Sequence, residues 1–266
     1  VKNLDTFNDF INEGVNDPGI LKVFFMAGGP GSGKSYVASE IFGFPKQAVA
    51  SVSYSTGLKL VNNDNAFETA LKKAGLSAGE LAKYAEDPDK WSEVMRIRDK
   101  AKGLTKRMQD AYIFGRLGQV IDGTGKNFDK IKGHRKLYQD LGYDTYMVFV
   151  NTSLDVALER NRMRERKLPD QIVQKMWKEV QDNLGKFSRL FGKQNMIIVD
   201  NSSYEDSSKI LSQIEKEIKR RVNKPVKNYL GKRWIQDQMN KDKNQPSGVS
   251  RKGWVGDAQF NESKED

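Results

Sequence analysis

The stretch ILKVFFMAGGPGSGKSYVASEIFG, Ile20 to Gly43, constrains the fold of this chain more than any other. An apolar run ends in glycines, as a buried strand does, and SYVASEIFG continues with helical patterning. Between them GGPGSGKS fits G-x-x-x-x-G-K-[ST], with Gly28, Gly33, Lys34 and Ser35 in the fixed positions. Glycines let a backbone wrap a polyphosphate with its N–H groups turned inward, and the next helix adds its positive N-terminal end. Gly29, Pro30, Gly31, Ser32 and Gly33 are thus expected to line a nucleoside-triphosphate loop. Lys34 is placed to reach the β and γ phosphates, and Ser35 to ligate Mg²⁺.

Comparable apolar runs recur at LKLVNND, GQVIDGT, DTYMVFVN and NMIIVDN, mostly separated by helical segments. Strands alternating with helices predict an α/β fold with a five-stranded parallel sheet flanked by helices. With 266 residues there is room for one large domain with additions or for two small ones. An N-terminal helix is expected over 1–19, where Leu4, Phe7 and Ile11 share a face and Gly14 caps it. The main domain spans 20–222, and a helical insertion occupies 65–118. In the insertion Pro88 marks a helix start, with Trp91, Val94, Ile97, Ala101, Leu104, Met108 and Ala111 as its apolar stripe. Ser203 to Val222 reads as the last helix, with Ile210, Leu211, Ile214 and Ile218 inward. Residues 223–266 form a basic, polar extension that still carries Tyr229, Trp234 and Trp254. Aromatics are unusual in disordered linkers, so an extended arm packing on a protein partner is the expectation.

The formal charge of +10 favours phosphate-bearing ligands, nucleic acid or an acidic partner, with simple solubility as the plain alternative. There is no cysteine, which removes disulfides, thiolate zinc sites and cysteine nucleophiles together. No apolar run approaches the roughly 20 residues of a membrane span, and the N-terminus lacks a signal-peptide pattern. The expected location is cytoplasmic, without a membrane partner. The single His134 has no second histidine with which to share a metal.

Three further features bear on chemistry. Asp64, ending LKLVNND, is expected at the carboxyl edge of a parallel strand, where it can take a proton from an attacking hydroxyl. The alternative is an aspartate capping a helix that starts near Ala66. Asp122 ends QVIDGT in the same way and is a candidate magnesium ligand, or else half of an Asp-Gly turn. The third is ALERNRMRERKLPD, with four arginines in seven residues. It reads as a nucleic-acid patch, a solvated helix face or part of an active site; the expected cap at Thr152 or Ser153 puts its helix directly after the fourth strand. Arg98, Lys102 and Lys106 recur every four residues and project together, as a solvated face or as substrate contacts beside a cleft.

Together these segments resemble the P-loop kinases of the polynucleotide-kinase and zeta-toxin type, over roughly Leu21 to Phe191. MAGGPGSGKSYVASE looks like that family's Walker A segment, VNNDNAF like the strand end carrying its catalytic aspartate, and VIDGTGKN like its third-strand segment. In ALERNRMRERKLPDQIVQKMWKEV, the residues Arg160, Asn161, Arg164, Leu168 and Pro169 match the family's lid, which is expected over 156–191. The resemblance implies that Asp64 and Lys34 are catalytic and that Arg160 and Arg164 clamp the ATP phosphates. Arg162 and Arg166 match less well and need no special role. RERKLP stands where the family usually has a glycine after the lid arginine.

The expected function is an ATP- and Mg²⁺-dependent kinase whose acceptor is a hydroxyl on a nucleic-acid 5′ end or a nucleotide sugar. The alternative is a nucleotide-binding structural or interaction protein packaged in a phage virion. FINEG resembles the sites cut by prohead proteases of T4-like phages, which would place a processing point at Glu13–Gly14; the competing reading is a glycine-capped helix.

Overall fold

The computed structural model describes residues 15, 17, 19–44, 52–53, 55–164, 167–202 and 208–244, with side chains to residue 240. Residues 1–14 of the expected N-terminal helix, the Glu13–Gly14 junction, Arg166 and Trp254 lie outside these residues.

All five expected strands form: β1 (Lys22–Ala27), β2 (Lys59–Val61), β3 (Gln119–Asp122), β4 (Asp144–Asn151) and β5 (Met196–Asp200). Every pairing is parallel and the order is β2-β3-β1-β4-β5. Central β1 is buried along its whole length, which is why its sequence is continuously apolar rather than alternating. Its one charged residue, Lys22, is 1% exposed and donates to Asp144 at 2.8 Å. Burial pulls the Lys22 ammonium below its usual range, against the opposing pull of Asp144.

The described residues contain nine α-helices: α1 (Lys34–Phe42), α2 (Asn63–Lys73), α3 (Leu81–Tyr84), α4 (Pro88–Phe114), α5 (Phe128–Asp140), α6 (Leu154–Met163), α7 (Asp170–Phe191), α8 (Ser208–Val222) and α9 (Tyr229–Asn244). Strand alternation sends Phe24, Met26, Val148 and Val150 to one face, where α1 and α8 bury Val37, Ile41, Leu211 and Ile218 against them. Val23, Phe25, Met147 and Phe149 go to the other, under Tyr138 of α5 and Val180, Phe187 and Phe191 of α7. Truncating one of these phenylalanines to alanine is expected to cost about 3–5 kcal/mol. None of the described helices is long and apolar enough to cross a membrane.

Three expectations need correction. In α4 the buried track is Val94, Ile97, Ala101, Thr105 and Tyr112, while Leu104 is 44% exposed and Trp91 38%. Thr105 can take the inward position because its hydroxyl donates to the Ala101 carbonyl at 3.0 Å, so no polar group is stranded. In α8, Ile210 is exposed whereas Leu211, Ile218 and Val222 are buried. Nor is α8 the last helix. Instead of an extended arm, the chain forms α9, with Val226, Trp234 and Ile235 packed on the second face of the sheet. Backbone N–H groups of Lys227 and Asn228 donate to the Asp144 carboxylate and fix this return. The insertion carries a small core of its own, built from Ala66, Phe67, Leu71, Tyr84, Val94, Ile97 and Ala101.

Candidate active site

Residues 28–33 turn from the end of β1 into α1, and the turn works only with glycine at set positions. Gly31 and Gly33 have φ of 75° and 76°, in the left-handed region where other residues are strained. A Cβ on Gly31 would collide with the Ala157 carbonyl of α6, and one on Gly28 would stand 2.7 Å from the Ser32 hydroxyl. The phosphate loop therefore lies in backbone contact with the arginine-bearing helix.

Helix α1, like α3 and α7, starts without a side-chain cap, and it is the one of these three that follows a glycine loop. Asn62 caps α2, Asp87 caps α4, Asn127 caps α5 and Ser153 caps α6, each through a side-chain acceptor. Gly33 precedes α1 and supplies none. The first N–H groups of α1 are left for an acceptor from outside, which is the arrangement that suits a phosphate. Ser32 adds a hydroxyl that is buried and has no partner among the described residues. Both observations fit a bound polyphosphate.

Lys34, at the start of α1, donates to one oxygen of Asp122 at the end of β3. The other oxygen accepts from the Asn62 side chain at 2.7 Å. Asn62 has two tasks, since its own side-chain oxygen accepts from the N–H groups of Asp64 and Asn65. This corrects the capping alternative: α2 starts at Asn63, and Asn62 rather than Asp64 is its cap. Asp64 stands in the first exposed turn, with no partner for its carboxylate among the described residues. Strand β2 ends three residues earlier, at Val61.

Arg160 reaches from α6 to the end of β5, where its guanidinium donates to the Asn201 carbonyl at 2.8 Å. A Cβ on Gly33 would lie 3.6 Å from that guanidinium, so the arginine stands beside the phosphate loop. The Asn201 side chain donates to the Ser32 carbonyl at 2.8 Å. Thr152 Oγ1 joins the same Asn201 carbonyl at 3.3 Å, and Trp177 of α7 donates to the Thr152 carbonyl at 2.8 Å. Asn161 is 1% exposed and grips Leu168 twice, donating to its carbonyl at 2.7 Å and accepting from its N–H at 3.1 Å. Arg162 pairs with Asp170 on the exposed side. Arg164 is exposed at the end of α6, where its backbone N–H donates to the Asn161 carbonyl and its side chain has no partner among the described residues.

Lys34, Asp122 and Arg160 thus converge at the carboxyl edge of the sheet, and Ser35 sits in the first turn of α1. Asp64 is at the same edge on α2. The row Arg98, Lys102 and Lys106 lies on the exposed side of α4: Lys102 meets Asp99 at 3.6 Å, Lys106 meets Asp110 at 2.9 Å, and Arg98 lies over the Phe67 ring. Asn62 and Asn201 were not anticipated. The available signal was position, since each directly follows an apolar strand at its carboxyl end.

For magnesium, no group of three or more histidine, cysteine or acidic residues occurs among the described residues. Ser35 and Asp122 offer one hydroxyl and one carboxylate. That sparse oxygen set fits Mg²⁺, which keeps several waters and draws on substrate phosphates.

Residues 23–186 match the AAA_33 family, described as an AAA domain. No curated protein matches the chain. Among solved structures, the complex of AvrRxo1-ORF1 and AvrRxo1-ORF2 with sulphate ions aligns at TM-score 0.50 and 14% identity, over 76% of this chain and 62% of that one. The same complex solved with ATP gives the same values. Its native form aligns at TM-score 0.50 and 14% identity over 89% of this chain and 82% of that one. This chain thus spans about 62% of the length of the first two relatives, and such low identity speaks for the fold alone. With the family match covering more than half of the sequence, the chain belongs to the AAA_33 family of AAA domains and has the P-loop kinase fold.

Proposed function

We propose that this protein is an ATP-dependent phosphotransferase that moves the γ-phosphoryl group to a hydroxyl acceptor. The observation that carries the reading is the convergence of Lys34, Asp122 and Arg160 around the uncapped start of α1. A loop that only held a nucleotide would need the first of these, not an arginine brought from a helix more than a hundred residues away.

Lys34 would exchange Asp122 for the β- and γ-phosphate oxygens of ATP, leaving Asp122 and Ser35 to hold magnesium. Bound magnesium supplies positive charge across those oxygens. Arg160, with Arg164 as the second lid arginine, would offset the charge that grows on the transferred group. Asp64 would accept the proton of the attacking hydroxyl, which then bonds to the γ phosphorus as the bond to ADP breaks. Its exposed carboxylate beside the cap formed by Asn62 supports that role.

The acceptor is proposed to be polyanionic, a nucleic-acid 5′ end or a nucleotide sugar, in keeping with the net charge of +10. Phosphate transfer to a panel of nucleic-acid ends, nucleotide sugars and small alcohols, compared with release to water, is the test. Transfer to one acceptor class, abolished by Lys34→Ala, supports the reading. A chain that binds ATP and transfers to nothing is a binding protein instead. For a nucleic acid, acceptor affinity falls steeply with salt, and a flat response points to the nucleotide sugar.

A further inference from the structure

Asn201 touches no expected substrate atom, yet it joins the two halves of the site. Its backbone N–H donates to the Asn151 carbonyl at 2.9 Å, which fixes it to the end of β4. Its backbone carbonyl accepts from Arg160 at 2.8 Å and from Thr152 at 3.3 Å. Its side-chain amide donates to the Ser32 carbonyl and lies where a Cβ on Gly33 would have to go. Asn201 is 6% exposed, so these bonds do not compete with bulk water.

We infer that Asn201 is a positioning residue, which sets the phosphate loop and Arg160 in register through one buried amide. The inference rests on the phosphotransferase reading and extends it. A side-chain donor is needed here because the carbonyl of buried Ser32 would otherwise be stranded. An amide serves where a carboxylate does not, since an acceptor facing a carbonyl repels it. The link continues into the lid: Trp177 holds Thr152, which holds the same Asn201 carbonyl. A shift of the loop at Ser32 is therefore felt at Arg160, and a shift of α7 reaches both.

The test uses the full chain with Asn201→Ala, Asn201→Asp, Arg160→Ala and the double variant Asn201→Ala/Arg160→Ala. ATP affinity by calorimetry, turnover and melting temperature are measured for each. Asn201→Ala is expected to lower kcat/KM roughly ten- to hundredfold, the range for a stranded buried acceptor. In the double variant the kcat should fall within about threefold of Arg160→Ala alone, because both changes break one unit. Asn201→Asp should bind ATP as poorly as Asn201→Ala near neutral pH. It should then recover relative to the parent as pH falls and the carboxyl, protonated, becomes a donor to Ser32.

A purely structural residue would lower the melting temperature, give losses that multiply with those of Arg160→Ala, and show no acid recovery in the aspartate variant. That pattern, or parental affinity and turnover in Asn201→Ala, overturns the inference. If the parent binds ATP but transfers phosphate to no acceptor, the phosphotransferase reading fails while the affinity and pH comparisons still decide the role of Asn201. A parent that binds no adenine nucleotide overturns both.

Discussion

Helices α4 and α6 both carry rows of cations, and the structure treats them differently. On α4, Lys102 and Lys106 meet carboxylates three and four residues away on the same helix, in pairs more than half exposed. Exposed pairs of this kind contribute about 0.3–0.5 kcal/mol each and are screened by salt. On α6, half-buried Arg160 binds a carbonyl 41 residues further along the chain. The difference teaches that cation density alone says little about a site. What distinguishes Arg160 is where its partner lies, and Arg162 makes the same point within α6, since its Asp170 partner is exposed and nearby.

Four variants break or sharpen this contrast. The largest effect is expected from Lys34→Ala, which should lower turnover by about a thousandfold or more, read as γ-phosphate transfer under saturating ATP. Arg160→Ala should follow at roughly a hundred- to thousandfold, with a smaller change in ATP affinity, because its charge matters most as the phosphoryl group moves. A loss below tenfold would put Arg160 on the same footing as the α4 row. Asn161→Ala removes both bonds to Leu168 and should destabilise the fold by about 1–3 kcal/mol, seen as a lower denaturation midpoint. The smallest effect belongs to the double change Lys102→Ala/Lys106→Ala, with acceptor KM altered less than about threefold. A tenfold rise, lost at high salt, would instead bring α4 to the acceptor and erase the contrast.

The phosphate loop and the five strands were legible because each rests on local rules. A buried parallel strand needs a continuous apolar run, and a phosphate cradle needs glycine at Gly31 and Gly33. The arginines of α6 differ in their surroundings: Arg160 lies beside the loop, and Arg162 is paired on the outside. Harder to see were Asn62 and Asn201, neutral residues whose importance comes from contacts between strand ends far apart in sequence. No periodicity announces such a contact. The buried face of α4 departs from its apolar stripe at Leu104 for a related reason. Apolarity argues for burying leucine, but Thr105 satisfies its hydroxyl on the Ala101 carbonyl and can face inward at little cost. The packing of α9 was hidden by a polar composition in which a few residues, Val226, Trp234 and Ile235, provide the contact.

That packing depends on two glycines. Gly231 of α9 and Gly142, in the turn before β4, meet backbone to backbone, and a Cβ on either would strike the other's main chain. Neither position can accept a side chain in exchange for a smaller one at its partner, because both are already at the minimum. Ordinary compensating drift is therefore closed to this pair. A lineage that keeps α9 must keep both glycines, and one that loses the helix releases Gly142 from the close approach while its left-handed backbone still disfavours other residues. Among relatives, glycine at 231 would then act as a marker of whether the C-terminal helix is docked.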